Sequence, residues 1–328
     1  MACEVVAEFT SFSDARTCVL RDSRRGLFVR KSAPLGRAGE KLISQARWYQ
    51  SNAAENICPR LLGLSTVGRK VFIDIDFIPG AIPLDQRLLQ LSESKAIDLF
   101  ISVLQSLHNK IHRTHSRVED AQKRDHYIQE KLLGKLEFIR LCDPMISDLM
   151  SFDQIVVNGR RLKNRDLALA ELLHSPSKMN ALKSFLPSTL HGDVTLQNIL
   201  VSDGRPYFID PNNENLINSP MVDFAKLLQS LDSGYEFLLQ QQQFQMGRDT
   251  IDYADLRPAR WKILKQVMLE FLEARYSQID LGQLSFHQSV HLARLLPYQW
   301  KSNAKRLPLF YAEFLRKLND YLEDRPCI

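Results

Sequence analysis

The 328-residue chain has no CxxC pair, no long run of Lys or Arg, and no stretch of about 18 uninterrupted apolar residues. Each absence removes a class of protein. The five cysteines (Cys3, Cys18, Cys58, Cys142 and Cys327) are odd in number and scattered. A zinc site or disulfide framework is therefore not expected, and the thiols read as those of a reduced, cytoplasmic chain. A nucleic-acid partner usually calls for a concentrated basic stripe, whereas the formal net charge of +5 is spread along this sequence. Such a mild excess suits an enzyme whose substrates carry phosphates. No membrane span is expected. With Glu4 and Glu8 near the start and no apolar run there, neither is a secretory signal. Glycine is also sparse: residues 9–17, FTSFSDART, contain none, so no GxGxxG motif opens the chain. What remains is 45% apolar and 25% charged, the balance of an ordinary globular protein.

The first 80 residues read as a small α+β unit. Short β-prone runs lie at 5–9, 17–21 and 27–31, the last two joined as a hairpin through the turn residues 22–26. A helical pattern follows, in which Leu42, Ala46 and Tyr49 recur at intervals of three or four. Two further strands are expected at 60–64 and 69–76, stopped by Phe77-Ile78-Pro79-Gly80. This places a boundary between an amino-terminal domain, 1–79, and a carboxyl-terminal one, 80–328, with a hinge at about 76–82. Beyond it, helical periodicity covers 88–112, 131–141, 167–174 and 179–186, and most of 222–322. Two hairpins interrupt it. One turns at Asn158-Gly159, a pair that accepts the positive φ angles of a type I′ turn. The other pairs 199–201 with 206–209.

The chemistry concentrates in Leu190-His191-Gly192-Asp193-Val194-Thr195-Leu196-Gln197-Asn198. Asp193 and Asn198 are five positions apart, the Asp-to-Asn spacing of a kinase catalytic loop. Phosphoryl transfer needs a carboxylate to orient or deprotonate the attacking hydroxyl, and an amide oxygen nearby to ligate magnesium. The hairpin after Asn198 returns the chain to the mouth of the same loop and ends at Asp210, a second carboxylate suited to magnesium.

The pattern His-Gly-Asp-x4-Asn followed by Ile-Asp resembles the aminoglycoside phosphotransferase and choline kinase-like superfamily. Gly192 stands where protein kinases have the Arg of His-Arg-Asp. The resemblance implies an α+β, bilobal, protein-kinase-like fold with a small β-rich N-lobe and a larger, mostly helical C-lobe. It implies an ATP- and Mg2+-dependent small-molecule kinase with Asp193 as base, Asn198 and Asp210 as magnesium ligands, and His191 as a buried support of the loop. Asp223 matches a family Asp that ties the following helix back to that loop. Lys31, ending a strand, would contact the α- and β-phosphates, with Arg30 on the opposite face as the competing candidate. The family's Glu partner for that lysine aligns with Gln45, and Glu40 is the alternative. Ser11 and Ser13 would offer donors to phosphate in place of glycines. Asp76, Phe77 and Ile78 would form the hinge against adenine. In Asp210-Pro211-Asn212 the proline disfavours a flipping, switch-like segment.

The run from Ile209 to Ser230 further resembles a bacterial branch associated with surface-polysaccharide synthesis, which implies a sugar or sugar-alcohol acceptor. Residues 124–135 and 298–305, with Tyr298, Trp300 and Lys301, are candidates to line its pocket. His287 and His291 are four apart but lack a third ligand and read as structural. A nucleotide-binding pseudokinase and a nucleotidyl-transferring enzyme remain as alternatives.

Overall fold

A computed structural model describes residues 4–9 and 15–325. The chain divides into two units, Met1–Arg113 with Leu190–Asn215, and Thr114–Thr189 with Leu216–Ile328. The segment bearing Asp193, Asn198 and Asp210 thus groups with the amino-terminal residues.

The first unit begins with β1 (Glu4–Phe9), β2 (Arg16–Asp22), β3 (Gly26–Pro34), α1 (Arg37–Asn52), β4 (Leu61–Val67) and β5 (Lys70–Asp76). The strands form one antiparallel sheet in the order β1-β2-β3-β5-β4. Pleating gives this sheet two different faces. On one, Cys18, Leu20 and Phe28 cluster with Leu62. On the other, Val71, Ile73 and Ile75 lie in the core together with Leu42, Ala46 and Tyr49 of α1, all at most 3% exposed. The amphipathic periodicity of α1 is what directs those three side chains to the sheet. After β5 come β6 (Ile82–Pro83), α2 (Leu84–Gln90) and α3 (Glu93–Ser106), the last continued by a π-helical turn, Leu107–Ile111. The single helix read over 88–112 is therefore two. Leu91 is extended, and the Ser92 carbonyl accepts the Ala96 N–H at 2.9 Å to start α3 anew.

The second unit opens with β7 (Val118–Glu119), α4 (Ala121–Ile128), α5 (Gly134–Cys142), α6 (Pro144–Met150), β8 (Gln154–Val157), β9 (Arg160–Lys163), α7 (Arg165–His174), α8 (Pro176–Lys183) and β10 (Ser184–Phe185). The helix expected from 131 starts ten residues earlier, because Asp120 caps it by accepting the Lys123 N–H at 2.8 Å. The chain then re-enters the first unit as β11 (Ile199–Ser202) and β12 (Arg205–Phe208), an antiparallel hairpin whose β11 also pairs with β6.

Six helices and a hairpin complete the second unit: α9 (Pro220–Leu231), α10 (Tyr235–Leu238), β13 (Phe244–Met246), β14 (Thr250–Tyr253), α11 (Ala259–Glu273), α12 (Gln278–Leu281), α13 (Leu284–Asn303) and α14 (Leu307–Leu322). The β13–β14 hairpin falls in a stretch read as mostly helical and corrects the helical reading there. Buried Ile251 draws β14 parallel against β8, and Gly247 closes the turn by donating to the Thr250 carbonyl at 2.9 Å. Asp232, just past α9, is buried against Lys317 and Lys265. Burial opposes its ionisation, but the charges of Lys317, Arg316 and Lys265 outweigh it and hold the carboxyl well below the usual range. His287 and His291 are buried, against Tyr127 Oη at 3.2 Å and the Val222 carbonyl at 2.9 Å. Among the described residues no group of three His, Cys, Asp or Glu side chains converges on a metal position, and no helix is long and apolar enough to cross a membrane.

Candidate active site

The loop from Leu190 to Asn198 is held by its own side chains and by α1. His191 is fully buried; its Nε2 faces the Ile209 carbonyl at 2.8 Å, and its Nδ1 accepts the Asp193 N–H at 3.3 Å. One neutral ring, protonated on Nε2, thus ties the start of the loop to the end of β12. Trp48 of α1 packs edge-on to that ring, centroids 5.3 Å apart, and donates Nε1–H to the Leu190 carbonyl at 2.8 Å. Gly192 has φ +80°, and a Cβ added there would overlap the Asn212 carbonyl. Only glycine meets both conditions, which is the physical reason for the Gly of His-Gly-Asp.

Asp193 and Asn198 meet across this loop. The Asn198 amide donates to the Asp193 carbonyl at 2.8 Å and to Asp193 Oδ2 at 3.2 Å. With its NH2 committed to Asp193, Asn198 keeps Oδ1 as an acceptor. The Ile209 N–H donates to the Asn198 carbonyl at 2.9 Å, so the residue before Asp210 is fastened to the loop's end.

Asp210 has a left-handed backbone, φ +59°, rare for a residue with a side chain. Its carboxylate forms an ion pair with Lys31, which is only 6% exposed. Burial pushes the Lys31 ammonium down, to about 7, with repulsion from Lys41 adding to it. Lys31 pairs in register with Ile73 of β5 and so shares the face covered by α1. Arg30 lies on the other face, held by Asp74 at 2.7 and 2.8 Å and stacked on Phe28 and Phe72.

Two sequence expectations change here. Gln45 does not hold Lys31: its amide donates to the Pro211 carbonyl at 3.1 Å, and its Oε1 has no hydrogen-bond partner among the described residues. Glu40 is exposed. The residue that meets Lys31 is Asp210 itself, the carboxylate that follows β12. The sequence reading used Tyr49 only as part of the helical pattern and passed over Trp48, although intervals of three and four put both on the face of α1 that carries Gln45. Asp76 ends β5 and pairs with Arg60 at 3.1 Å. Phe77 and Ile78 follow it half-buried, and the Ile78 carbonyl accepts the Ala81 N–H at 3.4 Å across the Pro79-Gly80 turn. Asp223 is buried in the first turn of α9. Trp300 packs edge-on against Phe138 at 5.7 Å, and Tyr298 is exposed. Ser11 and Ser13 lie outside the described residues.

The oxygen donors present, one carboxylate and one amide, fit a hard cation of the magnesium kind, which takes one or two protein ligands and completes its shell with water and phosphate. The buried lysine beside them fits the phosphates such a cation accompanies.

A sequence profile described as the phosphotransferase enzyme family, APH, matches residues 5–260. The chain belongs to this phosphotransferase family. No curated protein matches its sequence. Among solved structures it resembles the gentamicin complex of APH(2″)-IIa at 15% identity, covering 95% of this chain and 92% of that one with a TM-score of 0.54. It also resembles the ADP-bound aminoglycoside phosphotransferase APH(2″)-Ib at 15% identity, with 96% and 93% covered and a TM-score of 0.50. At such identity the likeness is one of fold, and that fold is the mixed α+β, protein-kinase-like arrangement of a β-rich amino-terminal sheet and a helical carboxyl-terminal region.

Proposed function

We propose that this phosphotransferase moves the γ-phosphoryl group of ATP to a hydroxyl of a small molecule, a sugar or sugar alcohol, in the cytoplasm. The observation that carries the reading is the closure of Asp193, Asn198 and the Ile209–Asp210 segment on one another through bonds of 2.8–3.2 Å. The Asp193 carboxylate, steadied by the Asn198 amide, orients the acceptor hydroxyl and takes its proton. Asn198 and Asp210 are the ligands for Mg2+, which when bound neutralises charge on the phosphates. Lys31 contacts the α- and β-phosphates, with residues 1–79 as the nucleotide lobe and Asp76, Phe77 and Ile78 against adenine. Asp223 has a supporting role. The sugar class is favoured by the likeness of 209–230 to the polysaccharide-associated branch.

The test is ADP release with a panel of sugars and polyols, wild type against Asp193→Ala. Acceptor-dependent ADP that falls roughly 10²–10⁴-fold in the variant is expected. A nucleotide-induced rise in melting temperature without turnover on any acceptor would instead identify a pseudokinase, and pyrophosphate release would identify nucleotidyl transfer.

A further inference from the structure

Asp210 occupies a backbone conformation that its own sequence opposes. It has φ +59°, where a Cβ crowds the following carbonyl, and it precedes Pro211, whose ring drives the preceding residue toward extended geometry. Such a residue stays put only where its surroundings over-determine it. The grips are identifiable. The Ile209 N–H and carbonyl are taken by the Asn198 carbonyl and His191 Nε2 at 2.9 and 2.8 Å. The Asn212 N–H donates to the His191 carbonyl at 2.7 Å. Between these anchors lie the Asp210 N–H and the Pro211 carbonyl, and α1 takes both. Tyr49 Oη accepts the Asp210 N–H at 3.0 Å, and Gln45, one turn earlier, donates Nε2–H to the Pro211 carbonyl at 3.1 Å.

We propose that Tyr49, assisted by Gln45, is a positioning residue that holds Asp210 in its left-handed conformation and so aims its carboxylate for the cation. The inference rests on the reading of Asp210 as a magnesium ligand. Tyr49 suits the task because it is fully buried and cannot yield its place to water. Gln45 is 6% exposed and sits on the same face, four residues before it. Without the hydroxyl, the half-buried Asp210 N–H loses its acceptor, and the backbone is freed to relax toward the geometry Pro211 favours, taking the carboxylate with it.

A bulky buried ring on α1 also has an ordinary packing role, and the test separates the two. Tyr49→Phe keeps the ring and removes one oxygen. ADP binding is measured by calorimetry for the full chain with and without Mg2+, beside Asp210→Asn. Wild type gains affinity when Mg2+ is present, and Asp210→Asn loses that gain. In Tyr49→Phe the gain shrinks by about tenfold, the scale of one lost hydrogen bond at a part-buried amide, while metal-free ADP affinity holds. Gln45→Met, which frees the Pro211 carbonyl, shrinks it in the same direction and serves where Tyr49→Phe folds poorly. If both α1 variants keep the full gain while Asp210→Asn loses it, positioning by α1 is refuted and the role of Asp210 stands. If Asp210→Asn itself keeps the gain, or wild type shows none, the reading of Asp210 falls and this proposal falls with it.

Discussion

Replacing Gly192 with alanine tests whether the catalytic loop is set by steric necessity. Gly192 and Gly26 have similar dihedrals, φ +80° and +73°, but different surroundings. A Cβ at Gly26, in the β2–β3 turn, meets nothing within 4 Å; one at Gly192 overlaps the Asn212 carbonyl and Asn215 Nδ2. The left-handed conformation costs a residue with a side chain roughly 1–2 kcal/mol at either site. At Gly192 the Asn212 carbonyl must also retreat. That displaces the 2.9 Å bond from Asn215 Nδ2 and the 2.7 Å bond between the Asn212 N–H and the His191 carbonyl, each worth about 1 kcal/mol. Gly192→Ala is therefore expected to cost about 2 kcal/mol more than Gly26→Ala. Both are measured by chemical denaturation. In the proposed reaction the displaced loop carries Asp193 with it, and a shift near 1 Å costs on the order of 10² in turnover. Gly26→Ala leaves turnover intact. Equal stability losses in the two variants, or full turnover in Gly192→Ala, would refute the reasoning.

The two strand cations and the buried histidine give further expectations. Lys31→Met is expected to raise KM for ATP and lower kcat together, whereas Arg30→Met leaves both and costs about 1–3 kcal/mol of stability, since it takes two hydrogen bonds away from the buried Asp74 carboxylate; steady-state kinetics and chemical denaturation decide. Burial pushes His287 from the ordinary imidazole range down to about 3, so below pH 6.5 the unfolded chain binds a proton that the folded one refuses. Stability therefore falls with acid by about 1.4 kcal/mol per pH unit from this residue. His287→Gln should flatten the stability curve between pH 6.5 and 4.5, and an unchanged slope would contradict the assignment.

The parts of the site legible in the sequence are those whose geometry is local. Asp193 and Asn198 are joined by a short loop whose hydrogen bonds span five residues, and β11 and β12 return Asp210 beside them through a tight turn. Spacing alone carries that information. The same holds for β2 and β3, whose register follows from Asp22 closing the turn on the Arg24 and Arg25 N–H groups at 2.8 and 2.9 Å. The β13–β14 hairpin was not legible for the converse reason. The glutamine run at 240–243 that leads into it reads as a helix, and the partner that decides, β8, lies nearly a hundred residues earlier.

The partner of Lys31 was misread because a pattern carried from other chains assigns residues to roles one at a time, while the fold assigns them by volume and charge. A glutamine at position 45 cannot neutralise a buried ammonium, so the charge must be met from elsewhere, and Asp210 is the carboxylate the loop delivers. That leaves the Gln45 amide free for the Pro211 carbonyl, and the helix then grips the loop through neutral hydrogen bonds, donated by Gln45 and Trp48 and accepted by Tyr49. An ion pair between Lys31 and Asp210 also means that a cation taken up by Asp210 competes with the ammonium for the same carboxylate. Lys31 released from Asp210 is a buried charge in need of an anion, and phosphate is the anion the proposed reaction supplies. Cation and nucleotide are then expected to bind with positive coupling through this one pair, a linkage that follows from the side chains now in contact.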